Sequence, residues 1–387
     1  MQLSVIILNY NVRYFLEQCV LSVQKALQNI DGEIIVVDNA SADDSCAMMR
    51  ERFPDITLIA NKDNLGFPKG NNIGVAQAKG EYVCILNPDT VVAEDTFEKV
   101  LNFARQQTDT GIIGCKLIDG TGHFLPESKR GVPTPWVAFT KITSLYKFFP
   151  KTKLFNQYYA QHLDENQTGK AAILVGAFMV LKRDLYLEVD GFDENCFMYS
   201  DDIDLSYLVL KTGKSNYYFH ETTVIHYKGE STVKDGTYMK RFREAMQFFY
   251  RKHFKASFFF DVFMQIGTFV FAMFKKKQTG KKKSAEVNAY WLFSKEERLK
   301  EKLAQQLQKK LYWNKDINEN ALFSQSDLKE KPITILLDNN SFSFREIIAF
   351  LERHKDEKFT FRIIPEGTAY WIGSDSSNDR GEIVKIK

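Results

Sequence analysis

The sequence has little that would support a disulfide framework, a secretion signal or a broad nucleic-acid surface. Its 387 residues include five cysteines, widely spaced and without a CxxC pair, which argues against disulfide bonds or a thiolate zinc site and fits a reducing compartment. The first residues, MQLSVIILNYN, lack the basic start, long apolar region and cleavage site of a signal peptide. A formal net charge of +3 gives no global argument for nucleic-acid binding. We therefore expect a cytoplasmic protein of two or three domains.

Short β-branched and apolar runs alternate with helical patterns from residue 1 to about residue 120. This alternation predicts an α/β fold with a mostly parallel sheet covered by helices on both faces. Ligands of such sheets gather at the carboxyl ends of the strands, where polar residues follow several of these runs. The predicted strands are Leu3–Leu8, Glu33–Val37, Thr57–Ala60, Tyr82–Leu86 and Ile112–Lys116, and the predicted helices are Tyr14–Leu27, Ser41–Arg52 with Ser41 as N-cap, Lys69–Ala78 and Ala93–Gln106.

The sequence between residues 120 and 170 is less regular and rich in aromatics, Lys and Pro. We expect loops there that cross the edge of the sheet. An apolar strand, Ala171–Lys182, is predicted next, followed by a helix that begins near Ile203 and a strand around Ser215–Phe219. These elements complete a first domain that closes near residue 235.

A long helix is predicted over Tyr238–Phe274, and its second half, Ala256–Phe274, is unusually apolar with one narrow polar stripe. The lysine cluster KKKQTGKKK follows at residues 275–283. A bilayer crossing needs about 20 apolar residues, which this stretch does not provide. Burial in the membrane interface fits better, because the lysines suit anionic headgroups. Packing against the first domain or another subunit is the remaining interpretation.

The C-terminal part of the chain predicts a small unit with a β-α-β-β pattern after a charged helical stretch, Ser294–Leu311. We therefore divide the chain into a domain of residues 1–235, a helical region of residues 236–330 and an α/β unit of residues 331–387. An added structural layer is favoured for this unit over a regulatory or docking module. Its predicted elements are Ile333–Leu337, Ser343–His354, Thr360–Ile364 and Ala369–Ile372.

Two early segments have residue types suited to a nucleotide. Asp38 ends a predicted strand and could accept a hydrogen bond from a pyrimidine base, although capping of its own turn is the alternative. The segment NLGFPKGNNIGV (residues 64–75) combines glycines with side-chain amides, but matches neither a Walker loop nor GxGxxG. An ordinary glycine-rich turn is the alternative for that segment.

The segment CILNPDTVV (residues 84–92) has an acidic residue at the exposed end of a central strand. Asp89 could bind a divalent cation that clamps a diphosphate, because hard oxygen ligands suit Mg²⁺ or Mn²⁺. Pro88-Asp89 is also a good turn, so a purely structural role is open.

Three carboxylates, Asp201, Asp202 and Asp204, lie close together before an apolar helix. Asp204 is the best candidate for capping the helix. Asp202 is the best candidate for a general base, because neighbouring like charges raise a carboxylate pKa. His226 follows a short apolar run and could complete a metal or phosphate site, although a core histidine is the commoner case.

The order and spacing of these segments resemble the family 2 glycosyltransferases, and within them the bacterial rhamnosyltransferase-like branch that serves cell-surface polysaccharide assembly. The resemblance covers roughly residues 1–235. It rests on the segments SVIILNYN, VVDNAS, NLGF, LNPDT, VGAFMVLKR, GFDENCFMYSDDIDL and IHYKGES, which occur in the order of the family.

The resemblance implies a GT-A fold and an inverting, single-displacement transfer of a sugar from a nucleotide-diphosphate donor to a saccharide or polyprenyl-diphosphate-linked acceptor. It implies that Asp202, with Asp201 beside it, supplies the catalytic base, and that Asp89 and His226 face the metal or diphosphate. The predicted nucleotide-binding residues are Asn9, Asn11, Asp38, Asn39, Gly66, Asn71, Asn72 and Asn87.

Two departures from the family pattern affect these expectations. The DxD-like motif is Asn87-Pro88-Asp89, so an amide replaces one of the two carboxylates expected to face Mg²⁺ or Mn²⁺. The usual Glu of the acidic pair is Asp201, which is one methylene shorter. dTDP-rhamnose is the first candidate donor and a UDP-hexose the second. A non-catalytic scaffold and a nucleotidyltransferase are the alternative functions.

Overall fold

A computed structural model describes residues 1–134, 136–137, 140, 152, 157–197, 199–228, 236–254, 287–317, 333–376 and 381–387. Within them the chain builds two sheets, each covered by helices. The predicted fold class, a mostly parallel α/β sheet flanked by helices and followed by a small C-terminal α/β unit, is confirmed.

The first sheet is built from buried, β-branched strands whose side chains face helices on both sides. Two strands have the predicted bounds, Thr57–Ala60 and Tyr82–Leu86. The apolar strand predicted from Ala171 is shorter, because only its second half pairs in the sheet. The strands are β1 Leu3–Asn9, β2 Gly32–Asp38, β3 Thr57–Ala60, β4 Tyr82–Leu86, β5 Thr90–Val91, β6 Thr110–Ile118, β7 Gly169–Lys170, β8 Phe178–Lys182 and β9 Ser215–His226.

The strand order of the first sheet is β3-β2-β1-β4-β8-β6-β9-β5, with β7 paired to β9. Strands β1 to β4 are parallel to one another where they pair, and β6 runs parallel to β9. Strand β8 is antiparallel to both β4 and β6. Consequently the carboxyl ends of β1, β2, β4, β6 and β9 and the amino end of β8 share one edge, which we call the polar edge.

The helices around the first sheet mostly begin a few residues away from the predicted positions. Ser41 is not an N-cap, because its helix begins at Ser45 with Asp44 as the N-cap residue. The helices are α1 Arg13–Ala26, α2 Ser45–Arg52, α3 Gly66–Gln77, α4 Thr96–Gln106, α5 Arg183–Glu188, α6 Asp201–Lys211 and α7 Gly236–His253.

Two glycines of α3 allow this helix to lie directly on the sheet. A Cβ atom at Gly70 would be 2.4 Å from Leu8 Cδ1, and one at Gly74 would be 2.4 Å from Ile6 Cγ2. These two glycines therefore serve helix–sheet packing rather than close approach to a ligand.

The second sheet begins before residue 331, which corrects the predicted division of the chain. Two of its strands lie within the predicted helical region, and the charged stretch Ser294–Leu311 forms a helix only over Glu297–Gln306. The strand order is β11-β10-β12-β13-β14-β15. The elements are β10 Ala289–Phe293, α8 Glu297–Gln306, β11 Lys310–Asn314, β12 Ile333–Asp338, α9 Phe344–Arg353, β13 Phe359–Ile364, β14 Tyr370–Gly373 and β15 Glu382–Lys385.

A continuous apolar cluster joins the two sheets. Phe15, Ile118 and Ile225 of the first domain pack in one cluster with residues of the second sheet and α9, such as Phe350. Polar contacts reinforce the junction: Tyr370 Oη donates to the buried carboxylate of Glu17 at 2.9 Å. The second sheet is therefore a packed layer on the first domain.

None of the helices in the described ranges combines the length and apolar character that a bilayer crossing requires. The apolar stretch Ala256–Phe274 and the lysine cluster lie outside the described residues.

Candidate active site

The polar edge gathers residues from segments that are far apart in the chain. Asn9 and Asp38 end neighbouring parallel strands and are paired in register. Asn87 and Asp89 follow β4, and His226 ends β9 opposite Thr90. Asp202 lies in the first turn of α6 and reaches Gly176, just before β8. The sheet topology thus brings together the acids of three predicted motifs and the histidine of a fourth.

Asn9 and Asp38 form a buried pair at this edge. Asn9 Nδ2 donates to Asp38 Oδ2 at 2.7 Å, and the Ser41 backbone N–H donates to Asp38 Oδ1 at 2.8 Å. Asn11 adopts φ 57° and accepts from Ala42 N at 2.7 Å. Each oxygen of Asp38 therefore accepts a protein hydrogen bond and keeps a further lone pair for a ligand donor.

The Asn39 side chain connects the loop after β3 to this pair. It accepts from Asn61 Nδ2 at 2.8 Å and donates to the Gly66 carbonyl at 3.0 Å. Gly66 has φ +81° and lies against Phe197, whose carbonyl oxygen would be 2.9 Å from an added Cβ. Glycine is required there for both reasons. These residues shape the loop that borders Asp38.

The two neighbouring asparagines of α3 differ in their remaining hydrogen-bonding capacity. Asn71 is buried and donates to Phe67 O, while its Oδ1 has no hydrogen-bond partner among the described residues. The Asn72 side chain accepts from Tyr186 Oη and Phe192 N and donates to Phe192 O and Glu194. Because these four bonds use the whole amide, Asn72 holds the 186–194 segment here instead of facing a nucleotide.

Asp89 and His226 form a second buried pair, with Asn87 beside it. His226 Nε2 lies 3.5 Å from Asp89 Oδ1 and 3.4 Å from Asn87 Nδ2. Both residues are less than 7% exposed. In the part of the chain that the structure describes, Asp89 Oδ1 and His226 Nδ1 make no hydrogen bond. Buried polar atoms without partners are costly, which makes this pair a candidate ligand site.

The donor set of this pair fits a divalent cation. A carboxylate oxygen and an imidazole nitrogen are both metal ligands, and Asp89 Oδ1 is an orphaned buried acceptor. Within the described ranges no group of three or more His, Cys, Asp or Glu side chains is placed to hold a metal. Any cation bound here would therefore need ligands in addition to these two side chains.

The three carboxylates at the start of α6, those of Asp201, Asp202 and Asp204, lie in three different environments. Burial raises the pKa of Asp201 to about 7, and the charge of Asp202 adds to this rise. Asp202 accepts from Gly176 N at 3.2 Å and contacts the Arg130 guanidinium. Tyr199, just before the helix, has φ 80°, which a residue with a Cβ adopts only at a conformational cost.

Asp204 does not cap α6, which corrects the predicted assignment. The N-cap residue is Ser200, and Asp204 lies inside the first turn. Its carboxylate accepts from Lys252 Nζ at 2.8 Å and lies 2.5 Å from His253 Nε2, both on α7. Asp204 therefore ties α6 to α7.

Arg130 is a site residue that the sequence did not indicate. Its guanidinium contacts Asp202, from which it is separated by 72 positions in the chain. It also lines a cavity of about 250 Å³, together with residues such as Thr134, Gln157 and His162. The surrounding sequence is irregular, so no periodic signal pointed to it.

Glu127 and Lys228 form another unpredicted ion pair close to His226. Burial by itself would raise the pKa of Glu127, but Lys228 outweighs it and the pKa lies below its usual value. The charge of His226 acts on Glu127 in the same direction. The Glu127–Lys228 ion pair therefore places fixed charges beside the Asp89–His226 pair.

Comparison with known proteins confirms the predicted family resemblance. Residues 4–189, just under half of the chain, match the family model described as Glycosyl transferase family 2. The N-acetylglucosaminyl-diphospho-decaprenol L-rhamnosyltransferase of Mycobacterium tuberculosis is 26% identical over 244 residues, which cover 60% of this chain and 78% of that protein. Rhamnosyltransferase WbbL of Escherichia coli is 26% identical over 219 residues, 53% of this chain and 78% of that protein.

A solved structure gives a more distant likeness. Mannosyltransferase PcManGT from Pyrobaculum calidifontis, in complex with GDP-Man and Mn²⁺, has 19% sequence identity and a TM-score of 0.46, with 70% of this chain and 69% of that chain covered.

Proposed function

We propose that this chain, with its family 2 glycosyltransferase domain, is an inverting enzyme that moves a sugar from a nucleotide-diphosphate donor to a saccharide or lipid-linked saccharide acceptor in cell-surface polysaccharide assembly. One observation carries the proposal. Asp38, the Asp89–His226 pair with its atoms that lack partners in the described ranges, and Asp202 with Asp201 beside it all lie near the polar edge. Ligands of open α/β sheets bind at this location.

In this proposal the donor lies along the edge from β2 to β4. Asp38 accepts the N–H of a pyrimidine base, with Asn9 holding its carboxylate in place. Asn11, Asn39 and Gly66 shape the surrounding loops. Asn71 Oδ1 and Asn87 are the amide groups that remain available to the donor.

Asp89 and His226 would hold a divalent cation, with Mg²⁺ or Mn²⁺ as the candidates. When bound, such a cation neutralises charge on the departing diphosphate. The burial of Asp89 and His226 keeps water away from the leaving group. The Glu127–Lys228 ion pair fixes the charges beside His226.

Asp202 is the proposed general base. It takes the proton of the acceptor hydroxyl while the hydroxyl oxygen attacks the anomeric carbon. The bond between that carbon and the diphosphate oxygen breaks, and the nucleoside diphosphate leaves with the electron pair. A single displacement of this kind inverts the anomeric configuration. Asp201 lies beside the base, and burial favours its neutral form.

For the substrates, dTDP-rhamnose is the first candidate donor and a UDP-hexose the second. Two of the relatives are named rhamnosyltransferases, and the name of one includes a polyprenyl-diphosphate-linked sugar. A polyprenyl-diphosphate-linked acceptor would place the enzyme in the cytoplasm, at the inner face of the membrane.

The test is a transfer assay with purified protein and a panel of dTDP-, UDP- and GDP-sugars, each with a short polyprenyl-diphosphate-linked saccharide. Release of one nucleoside diphosphate together with a glycosylated acceptor of inverted anomeric configuration is expected. Release of pyrophosphate from a nucleoside triphosphate would instead indicate a nucleotidyltransferase. Folded protein that transfers none of these sugars would favour a non-catalytic scaffold.

A further inference from the structure

The two oxygens of Asp202 have different surroundings. Oδ2 receives both protein donors, the Arg130 guanidinium Nη2 and the Gly176 backbone N–H at 3.2 Å. No hydrogen bond to Oδ1 occurs among the described residues. One oxygen of this carboxylate is thus fixed from two directions, and the other is left for a ligand.

The backbone around Arg130 is itself fixed. Its N–H donates to Ile173 O at 2.8 Å, and Ile173 N donates back to Arg130 O at 2.9 Å. This pairing sets Arg130 beside the segment that carries Gly176, the second donor to Asp202. Arg130 Nη2 also lies 3.4 Å from Leu174 O. The guanidinium is therefore placed by backbone pairing and not only by its charge.

Arg130 also borders open volume. The Arg130 side chain is 13% exposed, and it forms part of the wall of the 250 Å³ cavity. Its guanidinium therefore connects the wall of that cavity to the carboxylate of Asp202.

We propose that Arg130 is a positioning residue for the base: it holds Oδ2 of Asp202 so that Oδ1 is presented to the acceptor hydroxyl, and it makes Asp202, rather than Asp201, the carboxylate that accepts the proton. This inference rests on the proposed glycosyl transfer. Arg130 is not itself required to touch the reacting atoms.

The charges around the pair agree with this role. Burial lowers the pKa of Arg130, but the charge of Asp202 outweighs it and the pKa lies above its usual value. Asp201, Tyr158 and Glu127 are the other titratable groups that act on this pair. Arg130 is the cation among these groups, so its removal would leave Asp202 beside negative or neutral groups.

The experiment compares Arg130→Gln and Arg130→Lys with wild type in the transfer assay over a range of pH. For Arg130→Gln we expect kcat to fall about 10–100-fold, because a misplaced base loses its alignment. The donor KM should stay unchanged, because the donor-binding residues are not altered. Arg130→Lys keeps the charge, so a smaller loss of kcat is expected.

Arg105→Gln, an exposed arginine on α4, is the matched control and should behave as wild type. Thermal unfolding of each variant separates misfolding from a loss of alignment. If Arg130→Gln does not fold, wild-type kcat in Arg130→Lys would overturn the proposal. Wild-type kcat in folded Arg130→Gln, or a loss that appears in the donor KM instead of kcat, would also overturn it, while transfer by wild type would leave the proposed function intact. Absence of transfer by wild type would overturn the proposed function and this role together.

Discussion

The two sheets of this molecule each place aspartates at the carboxyl ends of buried parallel strands, but the hydrogen bonds that their carboxylates accept differ between the sheets. Asp338 follows this pattern in the second sheet: Ser294 and Ser341 hydroxyls donate to its Oδ2 at 2.6 Å, and Asn340 donates twice to its Oδ1 at 2.9 Å. In the first sheet, Asp89 is equally buried, yet its Oδ1 has no hydrogen-bond partner in the described ranges.

This difference shows that an acid at a strand end does not by itself identify a site. Asp338 uses its carboxylate to join the loops after β10 and β12, which is a structural task. Asp89 keeps acceptor capacity beside an imidazole, which is the arrangement that a ligand can complete. Substitutions in the two sheets should therefore affect different quantities: turnover in the first and stability in the second.

The largest expected effect is on turnover and comes from Asp202→Asn. Transfer should fall about 10²–10⁴-fold, because an amide cannot accept the acceptor proton. Binding of the nucleotide, measured by calorimetry, should remain. In the second sheet, Asp338→Asn should leave the turnover of the folded fraction near that of wild type. Lost nucleotide binding with residual transfer in Asp202→Asn would contradict the assigned role.

The next effect is on stability, and here the substitution in the second sheet should have the larger effect. Asp338→Asn should lower the free energy of unfolding by about 1–3 kcal/mol, because buried hydroxyl donors lose an acceptor. Asp89→Asn, the matched change, should cost less than Asp338→Asn, because Asp89 Oδ1 makes no hydrogen bond within the described ranges to lose. Denaturant titrations of both variants give these values. A larger loss in Asp89→Asn than in Asp338→Asn would break the comparison.

A third effect is the pH dependence of stability that the raised pKa of Asp201 causes. Its pKa is about 7 in the folded protein and lies above the ordinary value of 3.8, mainly through burial and then through the charge of Asp202. The folded state therefore holds a proton that the unfolded state releases, and this contribution to stability is present below pH 4 and is lost as the pH rises through 7.

Asp201→Asn removes this titration. The variant should be more stable than wild type at pH 8, and the difference should shrink toward pH 4. Thermal unfolding at several pH values measures it, with Asp193→Asn as a control, since Lys252 lowers the pKa of Asp193 against the effect of burial. A pH-independent difference between Asp201→Asn and wild type would count against a raised pKa.

The smallest effect lies at the junction of the two sheets. The Glu94 carboxylate accepts the backbone N–H groups of Phe344 and Arg345 at 2.8 and 2.9 Å, at the N-terminus of α9. Glu94→Gln should cost about 1 kcal/mol of stability, because a charge at the positive end of the helix is removed. Asp95→Asn is the control, since its contact with Arg345 is exposed. Turnover at low temperature should not change in either variant.

Much of the first sheet could be predicted from the sequence, because its strands are continuous β-branched runs separated by helical patterns. The positions of Asp38, Asp89 and His226 could be predicted because each follows such a run, and that of Asp202 because it precedes an apolar helical pattern. Arg130 could not, since its partner lies 72 positions away and its own segment has no regular period.

Two other features, a strand and the role of a side chain, also could not be predicted from the sequence. Strand β11 begins within the charged stretch that was predicted as a helix, and its partner in the sheet is β10, which precedes that stretch. Asn72 resembled Asn71 in sequence, but only the fold places it against Tyr186 and Phe192. In each case the missing information is a tertiary contact.

The measurement that tests the central claim most directly is nucleotide binding by the polar edge of the first sheet. Thermal shift of the purified protein with UDP, dTDP, GDP or CDP, each with and without Mn²⁺, compares wild type with Asp89→Asn and Asp338→Asn. We predict that one nucleotide raises the melting temperature in the presence of Mn²⁺, because it binds only the folded state. The shift should be lost in Asp89→Asn and kept in Asp338→Asn. No shift in folded wild type, or an equal shift in Asp89→Asn, would contradict the account.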